Sequence, residues 1–332
     1  MRSEPWFWRE QSAVARIIKT GLTPLSAAYD GAQRLRTQFT KPFIADVPVI
    51  CVGNASLGGV GKTPFSIALH TLLKTKGVNT DFLTRGYGGS FRGPIKADLA
   101  NHDASMIGDE AMLLARCAPT WVSADRPAGA VQAAKAGADA IIMDDGFQNP
   151  TLKKDCSILL IDEDSADPDN MVFPGGPMRE PLSRAKARAD IIVAIGASEK
   201  SATALAQKQS TPFAAWLEVE NAQPPQNVVA FCGIGKPEKF FTTLTAHGFT
   251  LVERTAFPDH HRYTEQDLDA LKRLARKTDA ALITTEKDHV RLPEAFRQEV
   301  LTLPVKMKIN APDQLLQKVV SIINPLSEGA SS

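Results

Sequence analysis

The apolar run Val49-Ile50-Cys51-Val52 leads within a few residues into Ser56-Leu57-Gly58-Gly59-Val60-Gly61-Lys62-Thr63, and that loop runs straight into a helical pattern. Glycines let a backbone close into a concave nest of N–H donors, a lysine adds positive charge for terminal phosphates, and a threonine hydroxyl suits magnesium. Pro64 fits a first helical turn, where its missing N–H costs nothing, and Phe65, Ala68, Leu69, Leu72 and Leu73 recur on one helical face. Strand, loop and helix together predict a phosphate-binding loop in an α/β protein.

The rest of the chain agrees with that class. Short apolar runs at 49–52, 80–83, 120–122, 140–143, 158–161 and 191–195 alternate with helical patterns at 64–75, 108–117 and 126–137, the rhythm of a mainly parallel sheet. With 332 residues there is room for two domains. The expected organisation is an N-terminal amphipathic segment (1–41), a P-loop core lobe (42–196), an Ala/Ser/Gln-rich linker ending in Pro224-Pro225 (197–226), a smaller second α/β lobe with its last helix near 312–323 (227–326), and a polar tail (327–332).

Net charge is +1, so no global basic excess points to nucleic acid. The charge is uneven, however: residues 1–41 hold seven Lys/Arg against three acids. That segment opens with Trp6-Phe7-Trp8 and carries Val14, Ile17, Ile18, Leu22, Leu25, Tyr29, Ala32 and Leu35 on a broad stripe, interrupted by Gly21 and Pro24. No uncharged run of about 20 apolar residues exists, so the segment reads as a helix lying in a membrane interface or one packed on the protein's own body. The four cysteines lack any C-x-x-C pair and read as reduced residues, which with no cleavable signal peptide favours the cytosol.

Several stretches carry candidate chemistry. Asp144-Asp145 close an apolar strand where ligands of open α/β sheets bind, and a phosphate-loop enzyme needs such an acid to hold magnesium; Asp162 after 158–161 is a rival of the same form. Asp109-Glu110 open a helix, where acids complement the dipole. The His-paired loop Phe257-Pro258-Asp259-His260-His261-Arg262-Tyr263-Thr264 offers a general base, with Thr264 a helix cap. Arg85-Gly86-Tyr87-Gly88-Gly89 follows a strand, the loop at 174–181 presents Arg179, Arg126 begins a helix, and Thr284-Thr285-Glu286-Lys287-Asp288 reads as structural pairing.

Taken together, these motifs resemble the tetraacyldisaccharide 4'-kinases (lipid A 4'-kinases) over residues 5–325. The resemblance rests on the serine-started loop 56–63, Arg85-Gly86-Tyr87-Gly88, Gly108-Asp109-Glu110, Asp144-Asp145-Gly146-Phe147-Gln148, Pro177-Met178-Arg179-Glu180-Pro181, Asp259-His260-His261 and Thr285-Glu286-Lys287-Asp288, in family order. It implies a two-lobed kinase that uses ATP and Mg2+ to phosphorylate the 4'-hydroxyl of tetraacyldisaccharide 1-phosphate, giving the 1,4'-bisphosphate. The implied location is the cytoplasmic face of a Gram-negative inner membrane, with attachment through the N-terminal helix and with no nucleic acid and no obligate protein partner. By the same resemblance Asp109 and His260 form a base dyad with Lys62 as catalytic cation, loop residues 56–63 and Arg126 bind ATP, and Thr63, Asp144, Asp145 and Gln148 form the magnesium site. Trp6, Arg85, Tyr87, Glu110, Arg179 and Glu180 are the candidate acceptor contacts, Arg85 and Arg179 for its 1-phosphate. A membrane-recruited ATPase or GTPase switch is the rival class. It is disfavoured because Leu57 stands where partitioning and metallate-pump ATPases carry lysine and because no N-K-x-D motif occurs.

Overall fold

The computed structural model describes residues 5–8, 10–220, 224 and 226–324. Among these the strands are β1 (Val49–Asn54), β2 (Thr80–Thr84), β3 (Ile95–Lys96), β4 (Thr120–Val122), β5 (Ala140–Asp144), β6 (Cys156–Asp162), β7 (Ile191–Gly196), β8 (Phe213–Val219), β9 (Asn227–Cys232), β10 (Thr250–Ala256), β11 (Ala281–Thr285), β12 (Val300–Leu303) and β13 (Val305–Ile309). They form one sheet ordered β13-β8-β7-β6-β1-β5-β2-β4-β3 and a second ordered β10-β9-β11-β12. The second sheet is parallel throughout, and the large sheet is parallel except for its edge pairs β3–β4 and β8–β13.

Strand β1 lies at the centre of the large sheet, between β6 and β5, and every one of its residues is buried. Burial on both faces explains its unbroken apolar run. The helix Lys62–Thr75 starts at Gly61, whose φ of 91° favours glycine, and buries Phe65, Leu69 and Leu73 against the sheet.

Two features differ from the expected organisation. Within 197–226, a helix at Glu199–Lys208 and strand β8 belong to the large sheet's layers, with Ala202, Leu205 and Ala206 packed on Ala194 and Ala214. The stretch reads as a linker from its Ala/Ser/Gln-rich composition and the Pro224-Pro225 pair. Residues 221–223 and Pro225 of the linker, and the polar tail 327–332, lie outside the described residues.

The chain end also returns to the first lobe. Strand β13 alternates Val305, Lys306, Met307, Lys308 and Ile309 and pairs antiparallel with β8, burying Met307 while Lys306 and Lys308 meet Glu220 and Glu218 at 3.4 and 3.2 Å. The helix Pro312–Ile323 then sets Leu315, Leu316, Val319 and Ile323 into the core cluster beneath the phosphate loop. Burying such side chains stabilises by about 1.5–3 kcal/mol each, enough to draw the terminal helix back across the molecule.

The N-terminal helix is continuous over Ala13–Phe39, passing through Gly21 and Pro24. Its docked face is polar. Ser26 Oγ donates to Val172 O at 2.7 Å and accepts from Gly175 N at 3.0 Å, and Asp30 pairs with Arg184 at 2.6 Å. Its outward face is apolar: Val14, Ile17, Leu25, Leu35 and Phe39 are 56–80% exposed. Among the described residues no helix is long and apolar enough to cross a membrane.

Candidate active site

Ser56 supplies more than a tolerated substitution. Its hydroxyl accepts from Asn54 Nδ2 at 3.0 Å, and its backbone bridges antiparallel to Met178. Leu57 N donates to Pro177 O and Arg179 N donates to Ala55 O, each at 2.7 Å, so residues 177–179 run as a short strand beside the loop entrance. That alignment delivers Arg179 to the site.

Inside the loop, Lys62 Nζ donates to Asn54 Oδ1 at 3.2 Å and lies 3.7 Å from Asp145. Thr63 Oγ1 and Ser66 Oγ donate to the two oxygens of Asp144, each at 2.9 Å. Asp144 is fully buried; that burial, with the negative charges of Glu110 and Asp145 adding to it, pushes its carboxyl up to about 7 against the pull of Lys62 and Ser66. Asp145 behaves in the opposite way. Burial raises its carboxyl, but Lys62 and a two-point contact from Arg179 (2.8 and 3.2 Å) hold it below the ordinary carboxylate range. Its φ of 52° turns it out of the strand direction of Asp144.

Asp162, the rival acid, is occupied elsewhere. It accepts from Ser165 N and from Lys236 Nζ of the second lobe, both at 2.9 Å. Gln148, expected at the metal, turns its carbonyl oxygen to Arg179 at 3.2 Å and its amide to Asn54 O and Glu180. Glu180 is buried against Arg188, so it faces the protein and not open solvent. Arg126 is buried with Nη1 on Ser123 O at 2.8 Å; burial lowers it to about 10, while Asp145 and Asp144 work to keep it charged.

The second centre forms where the lobes meet. Gly108 (φ 88°) turns the chain beside the Tyr87 carbonyl, which a Cβ would approach to 2.4 Å, and starts the helix Asp109–Ala115. Asp109 is 3% exposed, and its Oδ2 lies 3.1 Å from His260 Nδ1. Burial raises its carboxyl, but the His260 hydrogen bond and the charges of Lys287 and Arg291 outweigh this and hold it well below the usual range. His260 Nε2 faces Lys287 Nζ at 3.3 Å, and Lys287 also reaches Glu110 at 3.4 Å. Tyr87 packs its ring edge-on against His260 at 5.2 Å. Arg85 is exposed. Trp6 is 57% exposed, whereas Trp8 is buried with Nε1 on Pro174 O.

Sequence reasoning passed over Arg291, which contacts Asp109 through Nε at 3.0 Å and through Nη2. Asn54 and Ser66 were also missed. Ser66 falls one turn after Thr63, a spacing that put both hydroxyls on Asp144; Arg291 falls one turn after Lys287, which read only as structural pairing.

A parallel sheet with its loop threonine hydrogen-bonded to a buried strand-end aspartate defines a P-loop nucleotide-binding enzyme. Relatives narrow this. The chain belongs to the Tetraacyldisaccharide-1-P 4'-kinase (LpxK) family, whose profile matches residues 18–324. It is 46% identical over 315 residues to the tetraacyldisaccharide 4'-kinase of Paramagnetospirillum magneticum, covering 94% of this chain and 96% of that one. The protein of the same description from Caulobacter vibrioides is 41% identical, with 93% and 95% covered. A crystal structure of LpxK from Aquifex aeolicus in complex with ATP superposes with a TM-score of 0.74 at 26% identity, covering 92% of this chain and 99% of that one.

Proposed function

We propose that this protein transfers the γ-phosphoryl group of ATP to the 4'-hydroxyl of tetraacyldisaccharide 1-phosphate. The observation that carries this reading is the 3.1 Å contact between Asp109 of the first lobe and His260 of the second, with the neighbouring Glu110 near enough to act on the carboxyl of Asp144. A mere nucleotide switch has no use for a carboxylate–imidazole pair assembled from two lobes.

Phosphoryl transfer asks chiefly for positioning and charge neutralisation. The loop amides of 56–63 cradle the phosphates, and Lys62 swings from Asn54 onto the terminal phosphate. Thr63 and Asp144 suit Mg2+, since both present hard oxygens and a fully buried carboxylate gains most from a cation. Held by Thr63 and Asp144, Mg2+ would supply positive charge against the negative charge that develops on the transferring phosphoryl group. Arg126 and the Arg179–Asp145 pair flank the same space; Arg179, engaged with Asp145, serves the nucleotide end better than the acceptor's 1-phosphate. Arg85 remains for that phosphate, and Tyr87 for the sugar beside His260.

With Nδ1–H given to Asp109, His260 keeps its Nε2 lone pair for the acceptor. As the 4'-oxygen bonds to γ-phosphorus, the bond to the ADP oxygen breaks and the hydroxyl proton passes to Nε2, from which Lys287 must move aside. Such a base contributes roughly 10²–10⁴-fold.

The outward stripe of the N-terminal helix supports attachment to the cytoplasmic face of the inner membrane, where ATP and a lipid acceptor coexist. A helix with its polar face docked and its apolar face outward is the reverse of a solvent-facing surface helix. The test is acceptor dependence: bisphosphate forms from Mg-ATP and dispersed acceptor, with the new phosphate on the 4' carbon. ATP hydrolysis without lipid product contradicts the reading.

A further inference from the structure

We propose that Arg291 is a positioning residue that holds Asp109 and His260 in register across the two lobes; this rests on the kinase reading above and deepens it. The side chain is 7% exposed and uses every nitrogen. Nε and Nη2 take Asp109 Oδ2, while Nη1 donates to Gly233 O and to Asp288 Oδ1, both at 2.8 Å.

Gly233 O is also the acceptor for the backbone N–H of His260, at 3.1 Å. One guanidinium therefore grips the carboxylate of the first lobe and the backbone anchor of the histidine loop in the second. That anchor needs support, because His260 holds a φ of 58°, a left-handed conformation uncommon outside glycine. Asp288 completes the frame: it is fully buried, its Oδ1 accepts from Gly233 N and Tyr263 Oη at 2.9 Å each, and its Oδ2 accepts from Thr285 Oγ1 at 2.6 Å.

Arg291 does not reach the reacting atoms. Its Nη2 approaches His260 on the Nδ1 side, at 3.4 Å, leaving Nε2 to Lys287 at 3.3 Å and the Asp259 carboxylate at 3.8 Å. Its action is indirect. Beside the His260 hydrogen bond and Lys287, the guanidinium helps to keep Asp109 anionic and pins its Oδ2 where Nδ1–H of His260 finds its acceptor, so the lone pair stays at Nε2. The charged groups facing Asp109 are His260, Lys287 and Arg291, with Glu110 beside it sharing Lys287. Loss of Arg291 thus raises the Asp109 carboxyl and releases the histidine loop together.

The test compares full-length native protein, Arg291→Ala and Arg291→Lys in acceptor phosphorylation across pH, with melting and Mg-ATP binding measured alongside. For Arg291→Ala, kcat is expected to fall about 10²-fold, the loss typical of a misplaced catalytic group, with KM for ATP unchanged within about twofold. The acid limb of the pH profile should move upward, and Arg291→Lys or added guanidinium should restore part of the rate. A variant that melts lower but keeps the native kcat and acid limb overturns the proposal in favour of a plain inter-lobe strut. A raised KM for ATP at native kcat overturns it in favour of nucleotide binding. Absence of lipid product with native protein removes the kinase reading itself and this proposal with it.

Discussion

His260 and His261 are neighbours in sequence with separate tasks. His260 reaches across the lobes to Asp109, whereas the His261 ring stacks on Phe257 at 4.6 Å and bonds Asp267, the residue that completes the Thr264 capping box. His260→Ala is expected to lower kcat by roughly 10²–10⁴-fold with melting little changed. His261→Ala should do the reverse, keeping most activity while lowering stability by about 1 kcal/mol, the scale of one aromatic contact. Melting curves and initial rates on the two variants check both halves; equal activity losses would refute the division. Lys62 and Thr63 were legible from the loop's own spacing and Asp144 from its place at a strand end, and the structure brings Thr63 and Asp144 together across 81 positions. Arg291 was not, since its partner Asp109 lies 182 positions away and nothing local in an arginine after a short helix announces a carboxylate in another lobe.

At the scale of elements, the N-terminal helix packs on the body through Ser26 and Asp30, as one of the two sequence readings expects, and presents Val14, Ile17, Leu25, Leu35 and Phe39 outward. At 100° per residue these five fall within an arc of about 80°. Ile17→Glu with Leu25→Glu touches no docked residue and should reduce co-sedimentation with anionic vesicles at least tenfold, while turnover of a detergent-dispersed acceptor stays near native. Undiminished vesicle binding would show that the stripe is not the membrane face. The misread elements share a cause. The helix Glu199–Lys208 lies in an Ala/Ser/Gln-rich stretch whose composition reads as a linker, and β13 is five residues long; in both, contact with the large sheet and not the local pattern decides the placement.

For the whole molecule, ion pairs among the described residues cross between the lobes at two places, where Arg291 and Lys287 meet Asp109 and Glu110 and where Lys236 meets Asp162 and Asp164. Asp162, like Asp109, is raised by burial but carried below its ordinary value of 3.8 by a second-lobe cation, here Lys236. A lowered carboxyl contributes stability that is fully present above 3.8 and is lost as the pH falls through the folded-state value. Lys236→Met should therefore be less stable than native by a constant amount above that pH, and the gap should close in more acidic solution. A gap that persists unchanged at pH 2 would mean that Lys236 acts by packing alone. What joins all three scales is phosphoryl transfer from ATP to the lipid acceptor. The most direct measurement follows labelled γ-phosphate from Mg-ATP into tetraacyldisaccharide 1-phosphate with native protein, Lys62→Ala and His260→Ala. Labelled bisphosphate from native protein and losses of at least about 10²-fold in both variants are expected. Label released as free phosphate at the same rate with or without acceptor, and unchanged in His260→Ala, would contradict the kinase assignment.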